Sequence, residues 1–171
     1  MSAADGAISA ADVRQGSLPT CYFLAVLSAL AHVPKGRVFL ASMLYALPDA
    51  PEIAVRFFAP RRSSGQAKPI WVATSSRLPA KIEGERKLLY AQSEETDGPV
   101  WAAVLEKAWA LYQPLLGREA TYESIASRTD IAAGEAALAH NTGAAASAIL
   151  GNAGVTYRRV VDPPRWVKYL A

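Results

Sequence analysis

The stretch that decides the fold runs from residue 15 to residue 25 and reads Gln15-Gly16-Ser17-Leu18-Pro19-Thr20-Cys21-Tyr22-Phe23-Leu24-Ala25. From Cys21 to His32 the residues are nearly all apolar or small, and a helix that is apolar on every side is a buried one. Pro19 and Thr20 stand where such a helix begins, since threonine caps free amides and proline fits a first turn. The sequence therefore predicts a central helix with Thr20 as its cap and Cys21 in its first turn.

Cys21 is the single cysteine of the chain, and its predicted position allows two interpretations. At a helix N-terminus, the macrodipole and the unpaired amides favour the thiolate, which is the nucleophilic form of the side chain. A lone cysteine is otherwise most often a small buried hydrophobic residue. The local pattern alone leaves both roles open.

The pattern after this helix predicts a second short helix and three strands. The short helix covers about Gly36 to Leu47, and period-two alternation over residues 53–58 indicates a strand. A turn composition from Pro60 to Lys68 and a second apolar run over Ile70–Thr74 complete a hairpin. Lys87–Ala91 is the third candidate strand.

A long amphipathic helix is predicted after Asp97-Gly98-Pro99, which supply an N-cap and an early-turn proline. Its apolar face is formed by Trp101, Val104, Leu105, Ala108, Trp109 and Tyr112. Two short alanine-rich helices, Ala132–Ala139 and Thr142–Leu150, are predicted with a division at Asn141. Thr156–Val161 is predicted to form one more strand.

The composition favours one globular domain, since 51% of the 171 residues are hydrophobic and 19% are charged. A net charge of +3 is too small to suggest a nucleic-acid partner. A single cysteine excludes a disulfide within the chain. One cysteine and two histidines are also too few ligands to predict a structural zinc site. Met1–Asp12 has no signal-peptide pattern, and the apolar run from Cys21 to His32 is too short to cross a bilayer. We therefore expect no membrane partner, and a protein that is cytoplasmic or exported by a route independent of a signal peptide.

The stretch from Gln15 to Ala25 resembles the active-site segment of calpain-like cysteine peptidases, with Gln15 and Gly16 six and five residues before Cys21. Further family-like segments follow in the same order: Ser76-Arg77-Leu78-Pro79, Leu88–Ser93, Trp101–Ala110 with its Leu-Glu-Lys-Ala motif, Tyr122-Glu123 and Asn141-Thr142-Gly143. The resemblance covers about residues 12–143, and several separated motifs in one order are more specific than a lone cysteine.

The resemblance implies an α+β fold, namely the first, Cys-bearing lobe of a papain-like two-lobe peptidase. That lobe has a central buried Cys helix, further helices and a small antiparallel sheet. The resemblance also implies that Cys21 is the nucleophile and Gln15 the side-chain donor of the oxyanion hole. Trp101 matches a family tryptophan, and Glu106 and Lys107 are interpreted as markers of the fold and not as catalysts, with a merely solvated helix face as the alternative.

The chain also departs from the family pattern. Pro19-Thr20 replaces the usual Gly-Asp before the cysteine, Tyr22 replaces a tryptophan, and Ser75-Ser76 replaces paired acids. Asp12 matches one acid of the first-lobe calcium site of calcium-regulated members, whereas Pro99 stands at the position of the other. Asp12 is therefore the candidate calcium ligand, and calcium is left open with no cofactor expected with certainty.

The domain boundaries predicted are a flexible segment over residues 1–11, the calpain-like lobe over 12–154, and the start of a second lobe or a tail over 155–171. In the family, His and Asn of the active site come from a second lobe, and no segment here matches it. We expect that lobe beyond Ala171 or on a separate chain, with a protein or peptide as substrate. One alternative is a catalytically inactive binding or structural module. Another is a self-contained thiol enzyme that uses His140 or a second copy of the chain.

Overall fold

The computed structural model describes residues 8–46, 50–60, 67–83, 85–94, 98–126 and 134–151, without the side chains of residues 82–86 and 134–141. The strand predicted at Thr156–Val161 and the proposed start of a second lobe lie outside the described residues. Ile8 is buried, and Ser9 caps the 3₁₀ turn Ala10–Asp12, which packs against the first helix. The boundaries of the three predicted segments remain predictions.

Among the described elements, two helices are followed by five short antiparallel strands and then by three helices, which makes the fold α+β. In chain order they are α1 (Cys21–His32), α2 (Pro34–Ala41), β1 (Leu44–Ala46), β2 (Glu52–Phe58), β3 (Pro69–Ser75), β4 (Ala80–Glu83), β5 (Glu85–Leu88), α3 (Trp101–Tyr112), α4 (Tyr122–Ile125) and α5 (Gly134–Leu150). A 3₁₀ turn, Gln113–Leu116, ends α3.

The predicted hairpin forms the larger sheet, in the order β1-β2-β3 with both pairs antiparallel. Val55 lies opposite Val72 and Leu44, so its row faces the core, where Val55 is fully buried. The predicted helix over residues 36–47 is correct only up to Ala41, because residues 44–46 pair with β2. Strands β4 and β5 form a separate two-stranded sheet.

The core lies between α1 and α3, and α5 packs into it against α1 and β2. Phe23 of α1 stacks on Trp109 of α3 with ring centroids 5.3 Å apart, and Phe57 of β2 adds a third aromatic ring. Helix α1 is therefore central, and it begins at Cys21 as predicted. Helix α3 begins at Trp101 with Val100 as its N-cap, so Pro99 precedes the helix and does not lie in its first turn as predicted; the expected cap, Asp97, lies outside the described residues.

One helical prediction is wrong. Helix α5 runs without interruption from Gly134 to Leu150, straight through Asn141, where a division was predicted. Packing explains the continuity, since Ala145, Ala148 and Ile149 are buried against the core and outweigh the weak helix propensity of one asparagine. In the described part of the chain, no single helix is long and apolar enough to span a membrane; α1 and α2 meet that test only as a pair, bent by 118°.

Candidate active site

The thiol of Cys21 is exposed at the first position of α1. The preceding residue, Thr20, is fully buried, and the next, Tyr22, is buried as well. Cys21 is therefore exposed between two buried neighbours. The interpretation of Cys21 as a small core residue does not hold.

The N-terminus of α1 keeps free amides beside this thiol. The carbonyl of Thr20 accepts hydrogen bonds from the amides of Phe23 at 2.9 Å and Leu24 at 3.0 Å. The first amides of an α-helix, here those of Cys21 and Tyr22, have no partner within the helix. Together with the helix dipole, they favour an anion at this position.

Thr20 does not act as the predicted side-chain cap. It is the N-cap residue, but its hydroxyl makes no capping hydrogen bond and instead donates to Oε1 of Glu106. A carboxylate is the stronger acceptor, and the backbone of Thr20 lies outside the extended conformation that a capping side chain usually needs. Helix α1 therefore has no side-chain cap at its N-terminus.

The residues before and after Gln15 are hydrogen-bonded to one antiparallel segment, residues 89–92. Arg14 and Gln92 exchange backbone hydrogen bonds of 2.9 and 3.0 Å, and the amide and hydroxyl of Ser17 both donate to the carbonyl of Leu89, at 3.0 and 2.7 Å. The side chain of Gln15, between these two anchors, is exposed. The backbone of Gln15 is thus fixed while its side chain is exposed.

Gly16 permits the close contact between these two segments. A Cβ at this residue would lie 2.0 Å from the carbonyl oxygen of Tyr90 and 2.7 Å from that of Leu89. No side chain fits in that space. The glycine next to Gln15 therefore has a packing reason, which the sequence alone did not reveal.

Glu106 is buried, which excludes the alternative of a solvated helix face. Its Oε1 accepts from the Thr20 hydroxyl, and its Oε2 accepts from the amide of Ala91 at 2.7 Å. Burial raises the pKa of this carboxyl, although the two hydrogen bonds act in the opposite direction. The signal was present in the sequence, because residues 101–112 are otherwise nearly all apolar and a helix buried on all sides must pair its acid internally.

Lys107, the other expected fold marker, ties α3 to the end of β3. Its ammonium donates to the carbonyl and hydroxyl oxygens of Ser75, at 3.1 and 2.8 Å, and to the carbonyl of Arg77 at 2.6 Å. Partial burial lowers its pKa. Lys107 therefore stabilises the loop after β3 and is directed away from any chemistry at Cys21.

Tyr22 fixes the rotation of α1 immediately after Cys21. Its hydroxyl accepts from the indole of Trp109 at 2.9 Å and donates to the carbonyl of Ile125 at 2.9 Å. Burial raises the pKa of Tyr22, so the hydroxyl stays protonated and both bonds persist across the neutral range. The tyrosine that replaces the family's tryptophan thus connects α1 to α3 and α4.

The Asp12 carboxylate accepts hydrogen bonds from groups of the protein. Its Oδ2 accepts from the indole of Trp101 at 2.8 Å and from the amide of Ser9 at 2.7 Å, and its residue is buried. Within the described residues, no group of three His, Cys, Asp or Glu side chains could hold a metal ion, and Pro99 offers no side-chain oxygen. The described residues around Asp12 therefore do not fit a calcium site.

Neither histidine is shown beside Cys21. His32 is the last residue of α1 and exposed, and eleven residues of helix separate it from Cys21 by roughly 16 Å. His140 belongs to α5, and its side chain lies outside the described residues. The imidazole that such a thiol requires is therefore not among the described side chains near α1.

Comparison with known families matches residues 3–150 to the family model described as calpain family cysteine protease. The chain belongs to the calpain family of cysteine proteases. The match to this calpain family model includes Gln15, Cys21 and Glu106, and so covers every part of the site described above. No protein with a curated description matches the chain at a significant level. Family membership gives the chain a peptidase-type domain, with cysteine as the nucleophile class.

Proposed function

We propose that this protein is the nucleophile-bearing lobe of a cysteine endopeptidase with a papain-like two-lobe architecture. The observation that carries the proposal is the exposed thiol of Cys21 at the N-terminus of α1, which lacks a side-chain cap, six residues after Gln15 in its anchored segment. Membership of the calpain family supplies the reaction class. The substrate is a protein or peptide.

In the proposed reaction, the thiolate sulfur of Cys21 forms a bond to the scissile carbonyl carbon, and the carbonyl π pair moves to the oxygen. The side-chain amide of Gln15 and the backbone amide of Cys21 donate hydrogen bonds to that oxygen. Collapse of the oxyanion breaks the C–N bond, and the amine leaves with a proton from an imidazolium. Water then hydrolyses the thioester to give the carboxylate product and the regenerated thiol.

The imidazole and its orienting asparagine come, in this proposal, from a second lobe, either in the same chain or on a partner. The distance along α1 excludes His32 as the base, since a general base must be within hydrogen-bond reach of the proton that it takes. The lobe without that partner is expected to have little or no peptidase activity. Calcium dependence is no part of the proposal.

The test compares Cys21 with a cysteine one turn further along the same helix. Ala25 is exposed in α1, so Ala25→Cys in a Cys21→Ala background gives a matched thiol that lies away from the free amides. We expect iodoacetamide at pH 7 to alkylate Cys21 about twofold to fivefold faster than this control, because the helix terminus stabilises the anionic sulfur by about 0.3–1 kcal/mol. Equal rates would contradict the proposal and favour an inactive binding or structural module.

A further inference from the structure

The carboxyl of Glu106 lies between the two segments that carry the proposed catalytic groups. One oxygen accepts from the side chain of Thr20, and the other accepts from the backbone of Ala91. These partners are 86 and 15 residues away from Glu106 in sequence. The two oxygens of one carboxyl therefore join two separate parts of the chain.

The hydrogen bond between Thr20 and Glu106 holds the residue that precedes the proposed nucleophile, Cys21. Thr20 is directly followed by Cys21, and its carbonyl accepts the first two hydrogen bonds of α1. The amide of Thr20 also donates to the carbonyl of Leu18 at 2.9 Å, which sets the turn before the helix. Holding the Thr20 side chain thus fixes where α1 begins and where the thiol emerges.

The second bond reaches the oxyanion donor. Ala91 lies between Tyr90, whose carbonyl contacts Gly16, and Gln92, which exchanges two backbone hydrogen bonds with Arg14. Gln15 therefore takes its position from the strand-like segment that Glu106 holds through Ala91. On one side the Glu106 carboxyl bonds to Thr20, the residue before Cys21. On the other side it bonds to Ala91, which lies in the segment that pairs with the residues flanking Gln15.

We propose that Glu106 is a positioning residue that sets the separation between the Cys21 thiol and the Gln15 amide by bonding to both segments. This inference rests on the proposed peptidase function. Stability alone is a weak reason for this residue, since a buried carboxyl is costly and no Lys, Arg or His among the described residues forms an ion pair with it. A carboxyl has the geometry needed here, since its two oxygens accept from two directions at once.

The structure also explains why the carboxyl can keep both links in either protonation state. When ionised, it accepts from Thr20 and Ala91 as described. When protonated, it can donate to the Thr20 hydroxyl, which then donates to the Leu18 carbonyl 3.5 Å away. Glu106→Gln can copy the protonated arrangement, because its amide nitrogen donates to Thr20 and its oxygen accepts from Ala91. Glu106→Ala can keep neither link.

The test separates positioning from stability by using two reagents on the whole chain. Iodoacetamide alkylates the thiol without forming an oxyanion. An N-acetylated dipeptide aldehyde adds reversibly: the sulfur bonds to the carbonyl carbon, the π pair moves to the oxygen, and that oxygen takes a proton from water. Binding of the aldehyde, measured as protection of Cys21 from iodoacetamide, therefore reports on the oxyanion donors as well as the thiol.

We expect Gln15→Ala to weaken aldehyde binding about tenfold, the value of one good hydrogen bond. Glu106→Ala should weaken it by a similar factor while changing the iodoacetamide rate less than about twofold. The double variant Gln15→Ala/Glu106→Ala should bind the aldehyde as well as Gln15→Ala alone, because Glu106 acts through the Gln15 side chain, which is already removed. Glu106→Gln should restore most of the affinity. If Glu106→Ala does not fold, Thr20→Val with Thr20→Ser as its conservative control removes one link in the same way.

Two results would overturn the inference. The first is unchanged aldehyde binding in Glu106→Ala or Thr20→Val while Gln15→Ala still weakens it. The second is an additive double variant, which would mean that Glu106 acts independently of Gln15. Failure of the underlying function looks different: the aldehyde would then give no protection in the wild-type chain, or Gln15→Ala would have no effect. In that case the inference falls with the function on which it rests.

Discussion

Replacing Gly16 by alanine tests how the Gln15 segment is held. The added Cβ would lie 2.0 Å from the carbonyl oxygen of Tyr90 and 2.7 Å from that of Leu89, where ordinary contact begins at 3.4 Å. Both neighbours are backbone atoms, so neither can rotate away. The two segments must separate, and the bonds that join them at 2.9 to 3.0 Å are lost.

The expected cost follows from those bonds. Three backbone hydrogen bonds join residues 14–17 to residues 89–92, and at about 1 kcal/mol each their loss lowers the free energy of unfolding by about 3 kcal/mol. Urea unfolding followed by tryptophan fluorescence measures this value, since Trp101 and Trp109 are buried in the core. The displaced segment should also weaken the binding of a peptidyl aldehyde to Cys21.

Gly117→Ala is the control for this experiment. Gly117 has a φ of +76° and nothing within 4 Å of its Cβ position, so its alanine variant pays only for the left-handed backbone, about 1–2 kcal/mol. The control should leave aldehyde binding unchanged because residue 117 follows α3, outside the segments that join Gln15 to its neighbour. A Gly16→Ala variant within about 0.5 kcal/mol of the wild type would refute the close contact on which the account of this segment depends.

Three further predictions concern buried hydrogen bonds. Burial raises the pKa of Glu106 above its ordinary value of 4.5, so its protonated form is favoured on folding; the stability it contributes is fully present below pH 4.5 and is lost as the pH rises through the folded value. Urea titrations should therefore show the wild type gaining stability relative to Glu106→Gln as the pH falls towards 4.5, and parallel curves would contradict this. Tyr22→Phe removes a hydroxyl with two buried partners and should cost about 1–3 kcal/mol in the free energy of unfolding; a cost below about 0.5 kcal/mol would count against those bonds. Trp101→Phe leaves the carboxylate of Asp12 without its indole donor and should lower stability by about 1–3 kcal/mol, whereas Asp12→Asn, which can still accept, should cost less; the reverse order in thermal unfolding would be inconsistent with the contact.

The elements that local pattern could predict are those where periodicity and packing agree. Helix α1 begins at Cys21, the hairpin of β2 and β3 forms as the alternation predicts, and α3 buries its predicted apolar face. Each of these has a run of apolar residues whose period matches the element that buries it. The resemblance of residues 15–25 to the calpain family was confirmed by the match over residues 3–150.

The errors occur where contacts between distant residues decide the outcome. The hydroxyl of Thr20 turns away from its helix to reach Glu106, 86 residues later, and no local rule for capping contains that partner. Strand β1 was missed because a three-residue strand becomes visible only through its pairing with β2. Helix α5 continues through Asn141 because tertiary packing outweighs propensity. The exposed position of Cys21 likewise depends on how its neighbours are buried, which composition does not show.

The most direct test of the central claim is cleavage of an unfolded protein such as casein by this protein purified from its own cells together with any bound partner. The wild type, Cys21→Ala and Gln15→Ala should be measured side by side. We predict cleavage by the wild type, none by Cys21→Ala, and a kcat about 10²–10³ lower for Gln15→Ala, the usual cost of one oxyanion donor. Cleavage that survives Cys21→Ala, or a wild type that does not cleave, would contradict the claim that Cys21 is the nucleophile of a peptidase.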